Sequence, residues 1–139
     1  MKFVILASMF LFSNSTVTQW AYDFTRDQST FEWQIINDSV MGGRSQSEVI
    51  YTKHGLQFSG VLSLENNGGF ASTRSRVLNA MNPDALYIEV KGDGRVYQLR
   101  FRPKNNPYGI AYSARFQTTD TWQTLKFTPS DFQPVFRGR

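Results

Sequence analysis

Two short polar segments hold residues suited to binding. The first is Asn37-Asp38-Ser39-Val40-Met41-Gly42-Gly43-Arg44-Ser45. Asn37 and Asp38 offer oxygen ligands to a hard cation such as calcium, and Gly42-Gly43 lets the backbone come close to a partner. Calcium takes about six to eight oxygens, far more than this segment supplies. The preferred reading is therefore local: Asn37 and Asp38 satisfy loop backbone groups as Asx turns, and Met41 plugs the end of the core. The second segment is Glu65-Asn66-Asn67-Gly68-Gly69-Phe70. Amides followed by an aromatic ring suit a sugar-binding rim, with the amides bonding hydroxyls and the ring stacking on the sugar. The competing and preferred reading is a glycine-turned corner with Phe70 pointing into the core. Both segments flank one expected strand pair, residues 45–64, so the two could lie close together.

A third group is basic. Arg100 and Arg102 share the polar face of one expected strand, Arg115 falls on the polar face of the next, and Tyr108 and Tyr112 are near in sequence. Such a face could meet an acidic partner, phosphate or a single-stranded nucleic acid. A solvated sheet face explains the same residues and is preferred.

Enzyme chemistry finds little support. There is no Cys, so a disulfide framework, a zinc-thiolate site and a cysteine nucleophile are excluded. The one His, His54, stands in Lys53-His54-Gly55, which reads as a hairpin turn. Eleven acidic residues are present, yet no spacing singles out a carboxylate pair for glycoside hydrolysis. No P-loop, dinucleotide fingerprint or nucleophile elbow occurs. The reading is a non-catalytic chain with no catalytic residue, no metal site and no cofactor.

The elements that must position these residues are strands. Leu56, Phe58, Gly60, Leu62 and Leu64 keep period two, as do Leu86, Ile88 and Val90, and Tyr97, Leu99 and Phe101. Ile110, Tyr112, Ala114 and Phe116 do the same, and Leu125 and Phe127 flank Lys126. Less regular strands are expected over residues 33–36, 47–52 and 70–74, and one helical turn over 129–132. Lys91-Gly92-Asp93-Gly94-Arg95 reads as a tight hairpin, and Asn105-Asn106-Pro107-Tyr108-Gly109 as a loop. About eight strands in a mostly antiparallel, all-β sandwich follow. The 139 residues suffice for one domain, and 12 Phe, 6 Tyr and 3 Trp suit a sandwich core. The net charge of +4 is spread without a block of like charges, which disfavours nucleic acid as the partner.

Residues 1–15 read as a signal peptide: one Lys, a short apolar run and then small polar residues. The run is too short to span a bilayer, so no transmembrane segment is expected. Cleavage near Ser15 would make the protein exported, periplasmic or secreted; a buried N-terminal strand in a cytoplasmic protein is the alternative.

Three segments, in order, resemble the CIA30 family of complex I intermediate-associated protein 30. They are residues 33–45 (Trp33 to Ser45), residues 58–72 with Asn66-Asn67-Gly68-Gly69-Phe70 at their centre, and Phe132-Gln133-Pro134-Val135-Phe136-Arg137-Gly138-Arg139. Val90-Lys91-Gly92-Asp93-Gly94 and Trp122-Gln123 support them. The resemblance covers residues 20–139 and implies a galactose-binding-domain-like jelly roll that acts as an assembly factor through protein–protein contact, without catalytic residues. An exported carbohydrate-binding module of that fold is the alternative. Family members continue past the Phe-Arg-Gly-Arg motif, so the domain is expected to be incomplete at its C-terminal end.

Overall fold

A computed structural model describes residues 2–12, 20–26, 32–76 and 84–136. Within them the chain runs through β1 (Lys2–Phe12), β2 (Trp20–Tyr22), β3 (Gln34–Asn37), β4 (Gln46–Thr52), β5 (Gly55–Val61) and β6 (Ala71–Arg74). It continues through β7 (Ala85–Lys91), β8 (Val96–Phe101), β9 (Ala111–Gln117), β10 (Gln123–Phe127) and β11 (Gln133–Val135). Three short 3-10 turns interrupt them, and no α-helix occurs among the described residues. β10, β7, β1, β5 and β4 lie side by side in that order, and β2 pairs with the far end of β1. A second sheet has the order β11-β9-β8, and β3 pairs with β6 separately. Every pairing is antiparallel. The protein is all-β, as the period-two pattern predicts.

The period-two residues meet between the sheets. Ile5, Leu86, Ile88, Val90 and Phe127 of the large sheet are buried with Ala114 of the second, and Tyr97, Leu99, Phe101 and Phe116 pack in from β8 and β9. A train of rings ties the layers together. Phe116 lies 6.0 Å from Phe127, Phe127 is 5.9 Å from Phe132, and Phe132 is 5.5 Å from Phe101. Burying each such side chain contributes about 1.5–3 kcal/mol. A smaller cluster joins Tyr22, Phe24 and Leu56 to Trp33, Val49 and Tyr51. There the Trp33 indole donates to the Tyr51 hydroxyl at 3.1 Å, so its one polar atom is satisfied. The Tyr97 hydroxyl donates to Asp93 at 2.9 Å and reaches the Val4 carbonyl at 3.3 Å, tying the second sheet to β1. Burial and the Asp93 carboxylate hold that hydroxyl protonated well above its ordinary range.

Among the described residues eleven strands form where eight were expected; the additions are β1, β2 and β11. The segment expected to be a leader runs as β1 through the middle of the large sheet. Lys2 to Ala7 pair with β5, and Leu6 to Phe12 pair with β7. An unbroken apolar run is also the pattern of a strand inside a sheet, so length and hydropathy do not separate the two roles. The expected hairpin at residues 91–95 is corrected. β7 and β8 belong to different sheets, because β7 has β1 on one edge and β10 on the other. The turn is an inter-sheet corner, held where Gly92 N–H donates to Thr119 O at 2.7 Å and the Arg95 carbonyl accepts from Thr118 N–H and Oγ1.

Gly60 sits opposite Ser47 in the β4–β5 pair. A Cβ there would run into the Gln46 carbonyl oxygen and stand 2.8 Å from Ser47 Cα, both of them backbone atoms. Gly60→Ala is therefore expected to cost about 2 kcal/mol, a fall of roughly 5–8 °C in Tm, which a thermal melt followed by circular dichroism would read. A Tm within about 1 °C of the parent would refute the close approach.

Candidate functional site

The centre of the site is Asp38. β3 ends at Asn37, and the chain turns through the 3-10 segment Asp38–Met41, which Gly42 closes in the left-handed conformation at φ 87°. Asp38 is fully enclosed, at 0% exposure. Its Oδ1 accepts from Ser45 N–H at 2.9 Å. Its Oδ2 accepts from Ser45 Oγ at 2.5 Å, Gly69 N–H at 2.6 Å and Phe70 N–H at 3.3 Å. The Asp38 backbone N–H also donates to Phe70 O at 3.2 Å. Burial opposes ionisation, but the bonds from Ser45, Gly69 and Phe70 outweigh it and hold the carboxyl below its ordinary value. Ser45 Oγ in turn accepts from Ser63 N–H at 3.0 Å. One carboxylate thus binds backbone donors from both loops.

The glycines leave room for it. A Cβ on Gly43 would overlap the Asp38 carboxyl group, and one on Gly68 would stand 2.6 Å from Oδ2. The second loop turns through Glu65–Asn67, with Asn66 and Asn67 both left-handed at φ 54° and 58°, a conformation that Asn tolerates better than most residues. The Asn66 side-chain amide donates to Gly42 O at 3.0 Å, and Arg44 pairs with Glu65 at 2.8 Å across the surface. The structure therefore brings Asp38, Gly42, Gly43, Glu65, Asn66, Gly68, Gly69 and Phe70 into one site. Asn37 joins from the β3 side, accepting from Ser47 Oγ at 2.7 Å. Asn67 is exposed at the loop tip.

The Asx-turn reading is corrected: Asp38 bonds groups 7, 31 and 32 positions away, and Asn37 accepts from the Ser47 hydroxyl, so neither closes a local turn. Three bonds to Oδ2 and one to Oδ1 also leave it poorly disposed toward a cation. Met41 departs from expectation: it does not plug the core but is 66% exposed, because Asp38 takes the enclosed place at the start of the turn. Leu64 was expected to continue the β5 alternation. The strand stops at Val61, and Leu64 caps the second turn, 83% exposed. Val40 is 73% exposed, and Phe70, expected to point into the core, is 38% exposed, so all four apolar side chains stand exposed on the two joined loops. Sequence reasoning missed Val40 and Leu64; the available signal was an apolar residue beside each glycine-rich turn. Next to them lies an open polar groove of about 650 Å³ lined by Asn37, Ser39, Gly43, Arg44, Ser45, Gln46 and Ser47.

The basic group lies elsewhere, on the second sheet. Arg100 donates twice to Gln98 Oε1, at 3.0 and 2.6 Å, and Arg102 donates to Gly109 O at 2.8 Å. Gln98 stands opposite Arg115 and Arg100 opposite Ser113, so Arg100 and Arg115 share the outer face. Tyr112 stands opposite Phe101 and belongs to the inner face. The structure thus separates Tyr112 from the arginines. His54 is exposed in the β4–β5 turn, its N–H donating to Thr52 Oγ1 at 3.1 Å. Among the described residues no group of three or more His, Asp or Glu side chains is arranged to hold a metal, and no helix is long and apolar enough to cross a membrane.

The model of the family described as Complex I intermediate-associated protein 30 (CIA30) matches residues 22–139. No curated protein matches the chain, and no solved structure matches it.

Proposed function

The chain belongs to the CIA30 family, and from that premise we propose that it is a non-catalytic assembly domain that holds a protein partner against its two joined loops. The observation that carries this reading is the Asp38 clamp: donors from both loops end on one enclosed carboxylate, and Val40, Met41 and Leu64 stand out from the result. Loops fixed in advance lose little conformational entropy on binding. Methionine adapts its shape to a partner, and exposed aliphatic side chains supply the apolar centre that protein interfaces need. The Arg44–Glu65 pair sits at the edge of this surface as a polar rim. A sugar-binding rim is less well supported, because the Asn66 amide is already engaged with Gly42 O.

The test is co-purification from the cells that make the protein. The parent chain is expected to retain a partner in fixed stoichiometry. Met41→Ser with Leu64→Ser is expected to lower that retention about tenfold or more, since truncating central interface residues costs roughly 1–2 kcal/mol each. Val61→Ser, at an exposed apolar position on the outer face of the large sheet, serves as control and is expected to change nothing. Equal retention by the loop variant would sink the reading, as would glycan binding abolished by Asn66→Ala.

A further inference from the structure

The second sheet ends on β8. Among the described residues β8 pairs with β9 alone, so Val96–Phe101 presents one open edge of backbone N–H and C=O groups. The charge around that edge is of a single sign. Residues 96–119 contain no Asp or Glu and carry Arg100, Arg102, Lys104 and Arg115. None of these four has a carboxylate partner among the described residues. All four are exposed. Gln98 occupies two of the Arg100 donors and Gly109 O one of the Arg102 donors, which leaves several N–H groups on each guanidinium uncommitted.

A strand laid along this edge would meet two different faces in alternation. Inward it would stand beside Tyr97, Leu99 and Phe101, which are half-buried against the core. Outward it would stand beside Gln98 and Arg100, with Arg115 one strand further in. A segment alternating apolar and anionic side chains matches both. A second copy offering its own β8 would set arginine against arginine, which opposes pairing. Single-stranded nucleic acid needs rings to stack on beside its phosphate contacts, and the rings of β8 and β9 lie on the face opposite the arginines. We propose that the open edge of β8 takes an extended acidic segment of a protein partner by strand addition. This proposal does not rest on the loop surface.

A labelled short peptide of alternating valine and glutamate, titrated against the full chain and followed by fluorescence anisotropy, tests it. Saturable binding is expected, weakening about tenfold from low to physiological salt. Arg100→Glu and, separately, Arg115→Glu are each expected to weaken it about tenfold with the circular dichroism spectrum unchanged. The same peptide methylated on alternate backbone nitrogens is expected to lose binding, and a valine–lysine peptide is expected to show none. Absence of saturable binding would overturn the proposal. So would equal binding by the methylated peptide, which would mean ionic attraction without strand addition, or tighter binding of an oligouridylate, which would mean a nucleic-acid surface. Leu64→Ser is expected to bind the peptide as the parent does; a loss there would assign the peptide to the loops and overturn the edge.

Discussion

Asp38→Ala is expected to lower Tm by roughly 10 °C or more and to release both loops at once. The change removes the acceptor for Ser45 N–H, Ser45 Oγ, Gly69 N–H and Phe70 N–H in a place closed to solvent. Donors left unsatisfied there lose far more than one ordinary hydrogen bond. Asp38→Asn keeps the shape but turns an amide N–H₂ toward donors, so it is expected to fall between parent and Ala. The pH dependence has a definite sign. A carboxyl held below its ordinary value contributes its stability fully above about pH 4 and loses it as pH falls through the lowered value. Asp23, Asp93 and Asp131 are lowered too, by bonds from Thr25, from Tyr97 and Arg95, and from Thr128, and they act in the same direction. The informative quantity is therefore the difference in Tm between parent and Asp38→Asn from about pH 2 to pH 7. It is expected to shrink toward the acid end. A difference that stays flat, or an Asp38→Ala Tm within about 2 °C of the parent, would remove the clamp from the account.

The second large effect concerns β1. A chain lacking residues 1–15 is expected to lose its cooperative melt. β1 is the only link between β7–β10 on one side and β4–β5 on the other, among the described strands. Its removal leaves two-stranded ribbons, which are marginal in water. It also takes Ile5 out of the main core, where that residue is 8% exposed. Ile5→Ala in the full chain offers a milder companion and is expected to cost about 2–4 kcal/mol, near 10 °C in Tm. The deletion separates two roles for one segment. A sharp melt without residues 1–15 would make β1 dispensable and favour export with cleavage near Ser15. A broad, non-cooperative loss of signal would favour the strand.

The fold was legible wherever one face of a strand is buried and the other is wet. Leu86, Ile88 and Val90 alternate with Tyr87 and Glu89, and the buried set is the expected one. β1 was legible as a strand only as the alternative to a leader, because both of its faces are apolar, which erases the period. β2 and β11 are each 3 residues long, too short to show a period at all. The inter-sheet corner at Gly92–Gly94 was mistaken for a hairpin because turn chemistry reports a reversal of local direction and not which sheet the next strand joins. In the candidate site, both glycine-rich loops were picked out, and Asp38 was read as a backbone acceptor, but as a local Asx turn rather than a link between the loops. The clamp itself was hidden. Three of its four donors are backbone N–H groups, as far as 32 positions away, and a backbone N–H has no sequence signature. The exposure of Met41 and Leu64 was hidden for the same reason, since it follows from which neighbour occupies the enclosed position.

The clamp also bears on the order in which the chain is assembled. The β4–β5 hairpin closes through adjacent residues, and it brings Ser45 to Ser63 across 18 positions. The bonds from Gly69 and Phe70 to Asp38 close 31 and 32 positions and require β3 to have met β6. Loop-closure entropy places such contacts after the local ones, so the carboxylate is seated when the hairpin and the β3–β6 pair already exist. Interactions absent from the folding transition state govern how fast a protein unfolds more than how fast it folds. The exposed Val40, Met41 and Leu64 are then set in place after the β4–β5 hairpin and the β3–β6 pair, so their arrangement marks a chain in which those four strands are already joined.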